Sequence, residues 1–344
     1  MRKHGLDALI VSSISNIRYL TGFTGSNGLL IIASRSALFF SDIRFLEQAK
    51  LEVRNCRVHI TKFGLYEEAS RRKALHGASR VGFESQQITY AQYRVLRRLF
   101  PSTSFASTKE IVEDVMLVKD EAEIALMRKA AEISDQVFGE VVKIIRPGIS
   151  ELEIAGTISY LHRKLGAERD AFEIIVASGE RSAFPHARAT QKKIKSGELV
   201  TLDFGCVVGG YNSDITRTVA VGKASLRAKR MYDVVHDAQQ TAIESARGGM
   251  WAKDLDAVAR QRIEKRGMGK FFNHSLGHGL GLHIHERPRV SELSKERLRA
   301  GSVITIEPGV YVPGFGGVRI EDDVLLTENG CVVLNTAPKE FLIL

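Results

Sequence analysis

Cysteine, proline and long apolar runs are scarce in this sequence, and each shortage excludes a class of protein. The three cysteines, Cys56, Cys206 and Cys331, are odd in number and lie far apart. This pattern argues against a disulfide framework and against a thiolate metal site. No apolar run approaches the roughly 20 residues that span a bilayer, and the start of the chain lacks a signal-cleavage site. We therefore expect a cytoplasmic protein without a membrane partner, in which any metal is held by histidine and carboxylate groups.

Proline accounts for only 7 of the 344 residues, whereas hydrophobic residues make up 44% of the chain. A globular chain of this length can bury a sizeable core, and we expect two domains.

The formal net charge is +9, and the excess of basic residues lies in the first third. Residues 1–116 contain 17 basic and 10 acidic side chains, against 32 and 30 in residues 117–344. A nucleic-acid site would need a basic stripe with interleaved aromatic residues or a known module. The chain offers only short basic clusters, at 71–73 and 94–98. We interpret them as a solvated basic face and predict no nucleic-acid partner.

Residues 1–116 alternate short β-rich runs with polar or helical stretches, which is typical of an α/β domain. The predicted strands are 8–12, 28–33, 37–40, 57–61 and 80–84, and the predicted helix is 90–99. A helical pattern begins at Lys119, so we place the domain boundary near 115–119 and the second domain at 117–344.

The second domain combines helices with antiparallel hairpins. Its predicted helices are 119–145, one that starts from the capping box of Ser150 and Glu153, 224–246 and 253–266. Its predicted β-rich pairs are 199–207 with 211–221, and 303–312 with 318–326. The pattern indicates an α+β fold with antiparallel sheet.

The first hairpin carries two aspartates. Pairing its strands symmetrically about Val208 and Gly209 sets Asp203 opposite Asp214. Side chains opposite one another in an antiparallel pair have β-carbons about 4.5 to 5.5 Å apart and share a face, close enough to hold one or two cations.

The second hairpin carries two glutamates in the same way. Pairing about Gly314 sets Glu307 opposite Glu321. Paired acids on a hairpin are more often a solvated face than a site. These acids, however, lie among Val, Ile and Leu in strands that look buried, where uncompensated carboxylates are costly.

A histidine cluster supplies nitrogen donors for a metal that would compensate these acids. It comprises His274, His278, His283 and His285. Such a cluster alone could be a structural or adventitious metal binder. Glycines at 277, 279 and 281 surround His278, which suits close backbone approach at a crowded site.

Five residues with their local contexts resemble the metal ligands of the pita-bread metallopeptidases, the group that includes methionine aminopeptidase, aminopeptidase P and prolidase. They are Asp203, Asp214, His278, Glu307 and Glu321. The segments SAFPH, GHGLGLHIHERP and GGVRIEDD resemble the proline-directed branch, and residues 1–116 resemble its creatinase-like N-terminal domain. The start at Met1 is abrupt by comparison, so we expect a slightly shortened first helix.

The resemblance implies a role for each ligand. Asp203 would chelate one metal ion, Asp214 and Glu321 would bridge two, and His278 and Glu307 would hold the second. Glu307 would also move the proton. The ions would be divalent, with Mn²⁺ favoured by an oxygen-rich site and Co²⁺ or Zn²⁺ as alternatives.

Three further residues are predicted to act on the substrate or the ligands. By resemblance, His186 and His285 would face the peptide, and each could instead be an ordinary core histidine. Arg319 lies two residues before Glu321 on the same strand face and is predicted to orient that carboxylate, the alternative being an edge salt bridge. His274 fits a substrate-side loop of the family, and His283 is left unassigned.

The resemblance therefore implies a homodimeric, dinuclear-metal exopeptidase that cleaves short peptides before proline, as an aminopeptidase P or a prolidase. Three alternatives remain open. A metal-free creatinase-like hydrolase would lack some of the five ligands, a methionine aminopeptidase would share them, and a non-catalytic binding protein on this fold would have lost them.

Overall fold

A computed structural model describes residues 1–344, apart from the side chain of Arg2. The chain divides into two compact units, Met1–Met116 and Leu117–Leu344. No helix in the described part of the chain is long and apolar enough to cross a membrane.

The first unit contains one mixed six-stranded sheet with short helices. Its strands are β1 Ala8–Val11, β2 Leu29–Ala33, β3 Ser36–Asp42, β4 Arg57–Thr61, β5 Arg80–Glu84 and β6 Ser104–Thr108. Its helices are α1 Ile14–Thr21, α2 Leu46–Glu52, α3 Leu65–Arg71, α4 Tyr90–Leu99 and α5 Glu113–Met116. The strand order is β4-β3-β2-β1-β5-β6, in which β1-β2 and β2-β3 are antiparallel and the other pairs parallel. This is the α/β domain expected from the sequence, although strand β6 and the short helices α1, α2, α3 and α5 were not predicted.

The second unit has four long helices and antiparallel strands. The helices are α6 Glu121–Val141, α7 Glu151–Lys164, α8 Leu226–Ser245 and α9 Ala252–Lys265. The strands are β7 Arg169–Asp170, β8 Ile175–Ser178, β9 Leu199–Phe204, β10 Cys206–Val208, β11 Tyr211–Asn212, β12 Ile215–Ala220, β13 Gly277–Gly279, β14 Glu286–Val290, β15 Val303–Ile306, β16 Gly309–Val312, β17 Gly316–Arg319, β18 Asp322–Leu326 and β19 Cys331–Val333.

The strands of the second unit form several small sheets. Their orders are β11-β10-β7, β12-β9-β8, β14-β13-β15-β18-β19 and β16-β17. Helices α8 and α9 pack on the last two of these sheets through one apolar cluster, and α6 and α7 pack on β8, β9 and β12 through another. The capping box of Ser150 and Glu153 starts α7, as predicted. The expected α+β fold with antiparallel sheet is confirmed.

Candidate metal centre

The first hairpin has a register two residues away from the predicted one. Asp203 pairs with Thr216, not with Asp214, because the turn is the two-residue loop Gly209-Gly210 between Val208 and Tyr211. Both glycines have positive φ, 58° and 89°, which selects this turn. A shift of two residues preserves the face, so Asp203 and Asp214 are diagonal neighbours.

The second hairpin has the predicted register. Ile306 pairs with Asp322 and Gly309 with Arg319, so Glu307 stands opposite Glu321 where the ladder is interrupted. Glu321 instead forms a bridge with Thr216, and its N–H donates to the Thr216 carbonyl at 3.1 Å. Because Thr216 also pairs with Asp203, this bridge joins the acids of both hairpins in one row across the strands.

His278 lies on β13, beside the same carboxylates. Its Nε2 is 3.7 Å from Asp214 Oδ2 and 3.5 Å from Glu307 Oε1. Its Nδ1 lies 3.0 Å from the Gly279 carbonyl, to which it can only donate, so in the neutral ring the Nε2 lone pair faces the acids. Burial lowers the pKa of His278 to about 4, which favours this neutral form.

The glycines on either side of His278 allow the close backbone approach that the sequence indicated. A β-carbon at Gly277 would lie 2.0 Å from the Thr305 carbonyl oxygen, and one at Gly279 would lie 2.1 Å from that of Arg287. Neither position accepts a side chain. The predicted reason for these glycines is confirmed.

Burial raises the pKa of all four carboxyl groups. That of Glu307 rises to about 8. Those of Asp214 and Glu321 lie well above their ordinary values, because each is buried and then because neighbouring carboxylates repel its charge. The pKa of Asp203 is raised by burial against the opposing effect of Arg319. The four acids are therefore held in a place where Arg319 compensates only part of their negative charge.

Arg319 pairs with an aspartate and not with the glutamate that the sequence indicated. Its Nη2 makes a short ion pair with Asp203, and its Nε donates to Thr216 Oγ1 at 3.1 Å. Thr216 Oγ1 in turn donates to Glu321 Oε2 at 2.5 Å. Arg319 therefore reaches Glu321 only through the threonine hydroxyl, because the strand register sets Thr216 between them.

Tyr311 and Thr216 take part in the site, and sequence reasoning missed both. The Tyr311 hydroxyl accepts from Arg319 Nη1 at 2.6 Å and lies 3.1 Å from His274 Nε2. Burial lowers the pKa of His274 to about 3. A single tyrosine or threonine in a β-rich run cannot be distinguished from an ordinary core residue by its type. The only available signal was that Tyr311 would share a sheet face with Arg319, and Thr216 a face with Asp203.

One cavity of about 770 Å³ brings every predicted site residue together. Its lining includes His186, Asp203, Asp214, His278, His285, Glu307, Arg319 and Glu321. The rings of His278 and His285 lie 4.4 Å apart between centroids. The pKa of His285 is lowered first by burial and then by His186, which indicates that both imidazoles face the same space.

The donor set fits a divalent cation. Ligand atoms of Asp214, His278 and Glu321 all lie within 4.8 Å of one another. Asp214 Oδ1 is buried without a hydrogen-bond partner among the described residues. An orphaned carboxylate oxygen, an imidazole lone pair and raised carboxyl pKa values all indicate a missing positive charge.

Comparisons with known proteins agree with this geometry. The model of metallopeptidase family M24 matches residues 125–328, and the creatinase/prolidase N-terminal domain matches residues 1–118. The chain is 40% identical to the Xaa-Pro dipeptidase of Pyrococcus horikoshii, over 99% of this chain and 96% of that protein.

Solved structures give the same result. The Xaa-Pro dipeptidase from Bacillus anthracis has a TM-score of 0.97 at 38% identity, covering 100% of this chain and 96% of that one. The X-Pro aminopeptidase from Thermotoga maritima has a TM-score of 0.94 at 37% identity, covering 99% and 98%. The resemblance drawn from the sequence is confirmed. The chain belongs to metallopeptidase family M24, with a creatinase-type N-terminal domain before a pita-bread domain, and is a metal-dependent hydrolase.

Proposed function

We propose that this protein is a dinuclear-metal Xaa-Pro peptidase, which hydrolyses the bond before proline in short peptides. The observation that carries the proposal is the single cavity in which four carboxylates and one neutral imidazole converge. The printed activities of the relatives, Xaa-Pro dipeptidase and X-Pro aminopeptidase, supply the substrate class.

The charge of the cavity supports two ions. Four ionised carboxylates and the guanidinium of Arg319 carry a formal charge of −3, so one divalent cation leaves them uncompensated and two do not. The ligands would be Asp203, Asp214, His278, Glu307 and Glu321. A donor set of carboxylate oxygens with one imidazole suits Mn²⁺, with Co²⁺ and Zn²⁺ as alternatives.

Such ions, when bound, lower the pKa of a water molecule and polarise the scissile carbonyl. The chain itself supplies the proton acceptor. Glu307 is half-buried at its side chain, with 18% exposed, and its Oε1 lies 3.3 Å from Thr305 Oγ1 as well as near His278. A carboxylate fixed in this way can take a proton from water and return it to the leaving nitrogen.

His186 and His285 would act on the peptide. Each imidazole has an N–H to donate, and both rings line the cavity that holds Glu307. Donors fixed in a water-poor cavity stabilise the oxygen charge that develops during amide hydrolysis. Arg319 would position Asp203 by its ion pair and Glu321 through Thr216.

Hydrolysis of Ala-Pro beside Ala-Pro-Ala tests the proposal, with metal-stripped protein, added Mn²⁺ and Asp214→Asn as the inactive control. Cleavage of the dipeptide alone supports a prolidase, and cleavage of the tripeptide supports an aminopeptidase P. Release of methionine from Met-Ala with no Xaa-Pro cleavage would instead support a methionine aminopeptidase. If none of the three peptides is cleaved in a metal-dependent way, the proposal is overturned.

We also propose a homodimer, as the family resemblance implies. Gel filtration should give twice the mass of one chain. A monomeric mass at assay concentrations would contradict this assembly without affecting the metal centre.

A further inference from the structure

A buried lysine-glutamate pair lies beside the cavity. Lys119 Nζ is 2.9 Å from Glu286 Oε2, and the two side chains are only 1% and 8% exposed. The backbone N–H of Lys119 donates to the Gly301 carbonyl at 2.8 Å, which fixes the base of the side chain. Lysine is rarely buried so completely, and a buried charge needs its partner. The ion pair is therefore part of the folded interior of the domain, and it has no role in the reaction described above.

Glu286 uses its second oxygen to hold the loop that joins β13 to β14. Glu286 Oε1 accepts from the N–H of His283 at 3.0 Å. A β-carbon at Gly281 would lie 2.6 Å from a Glu286 carboxylate oxygen, so the carboxylate lies directly against the loop backbone. We call residues 280–285 the histidine loop. Its fold depends on where Lys119 holds the Glu286 carboxylate.

A second attachment fixes the opposite side of the histidine loop. The backbone N–H and the side-chain Nδ2 of Asn212 both donate to the Gly281 carbonyl, at 2.9 and 2.8 Å. The loop is thus attached at Gly281 by Asn212, and at His283 by Glu286.

The histidine loop carries His285 into the cavity. His285 immediately precedes Glu286, and its ring lies 4.4 Å from that of His278 between centroids. The ring position follows the backbone of this short loop, which the Lys119–Glu286 pair sets. Displacement of a catalytic group by about 1 Å can lower a rate by about a hundred-fold.

We propose that Lys119 is a positioning residue for His285, acting through Glu286 and the N–H of His283. The role rests on the proposed peptidase function, in which His285 faces the substrate. Lys119 itself does not line the cavity. We expect its loss to lower kcat, because the position of His285 matters most when charge develops on the peptide during hydrolysis.

The test compares Lys119→Met with Lys119→Arg and with Lys192→Met in the full-length, Mn²⁺-loaded protein. Lys192 is a matched control in the same unit: its Nζ lies 2.7 Å from Glu198 Oε2, and it does not line the cavity. We expect Lys119→Met to lower kcat for Ala-Pro by about ten- to a hundred-fold while leaving Mn²⁺ affinity unchanged. Lys119→Arg should restore most of the rate, and Lys192→Met should retain it.

A second background separates positioning from general destabilisation. In a His285→Ala protein, Lys119→Met should cause no further loss of kcat, because the group that it positions is gone. An equal fractional loss in both backgrounds, or an unchanged kcat in Lys119→Met, would overturn the proposal. If the wild-type protein cleaves no Xaa-Pro peptide, the proposed function fails instead.

Imidazole NMR makes the positioning claim independent of activity. The ring resonances of His285, assigned by their loss in His285→Ala, should shift in Lys119→Met and stay in place in Lys192→Met. Unshifted His285 resonances in folded Lys119→Met would overturn the proposal whatever the enzyme cleaves.

Discussion

Asp214 illustrates how a single side chain reports the missing charge. It is buried, one of its oxygens has no partner among the described residues, and burial followed by the charge of Glu321 raises its pKa well above the ordinary value. Burial therefore favours the protonated form of this side chain when no cation is bound. Holding that proton costs folding free energy, since the unfolded aspartate ionises freely.

Asp214→Asn removes this cost together with a proposed metal ligand. We expect the metal-free variant to be about 1–3 kcal/mol more stable than metal-free wild type at pH 7, and to have lost its activity. Added Mn²⁺ should raise the melting temperature of wild type more than that of the variant. Thermal unfolding with EDTA and with Mn²⁺ measures both effects, and a metal-free variant less stable than wild type would contradict this account.

Glu307 gives a pH dependence of definite sign. Its pKa in the folded protein is about 8 against an ordinary value of 4.5, so between these values the folded state binds more protons than the unfolded state. Stability of the metal-free protein should therefore fall as pH rises through this window, by at most about 1.4 kcal/mol per pH unit for one group. His278 and His274, whose pKa values are lowered, have the opposite effect, but only below their ordinary value of 6.5.

The range from pH 6.5 to 8 thus isolates the carboxyl groups. Urea unfolding in EDTA across this range should show stability decreasing with pH, and Glu307→Gln should flatten the slope. Wild-type stability that rises over the same range would disprove the assigned shift.

At the scale of the hairpins, the sequence predicted one register and missed the other. Symmetry about Gly314 gave the correct register, which sets Glu307 opposite Glu321, because the turn Pro313-Gly314-Phe315-Gly316 offered one obvious axis. In the first hairpin, symmetry about Val208 and Gly209 gave the right face with the wrong partner. Residue types could not distinguish a turn centred between Val208 and Gly209 from one centred between Gly209 and Gly210. The positive φ angles of the two glycines select the second turn.

The partner of Arg319 could not be predicted from the sequence either, for a different reason. Strand parity correctly placed it on the face of Glu321, but the partner depends on how two separate hairpins meet. That meeting is the bridge between Thr216 and Glu321, a long-range pairing with no local signal in the sequence. Local periodicity and caps, as at Ser150, were sufficient for the four long helices of the second unit.

Gly205 lies opposite Asp214 in the continued register of the first hairpin. A substitution there tests how much the close approach of these two strands matters. A β-carbon at Gly205 would lie 1.8 Å from the Ser213 carbonyl oxygen, which is backbone and cannot yield without moving the strand. We expect Gly205→Ala to destabilise the protein by about 2–4 kcal/mol and to weaken Mn²⁺ binding.

Gly156, within α7, provides the matched control because a β-carbon there would meet nothing within 4 Å. Gly156→Ala should stabilise the protein by about 0.5–1 kcal/mol and leave Mn²⁺ affinity unchanged. Urea unfolding and Mn²⁺ titration of both variants check the pair. Equal effects of the two alanines would mean that the strand contact at Gly205 is unimportant.

On the scale of the whole molecule, the metal centre connects segments that are far apart in sequence. Asp203 and Glu321 come from different hairpins, and His278 comes from a third strand pair. Bound ions would therefore stabilise contacts between segments that are far apart in the sequence. A ligand that binds only the folded state at a hundred times its dissociation constant adds about 2.7 kcal/mol of stability. Metal removal should therefore lower the melting temperature of the second unit, in which every proposed ligand lies.

The most direct test of the central claim is the number of Mn²⁺ ions bound by metal-stripped protein, measured by equilibrium dialysis with metal analysis at pH 8. Four carboxylates with His278 and one guanidinium predict two ions per wild-type chain and fewer than two in Asp214→Asn. One ion or none in wild type, or two in both proteins, would contradict the account.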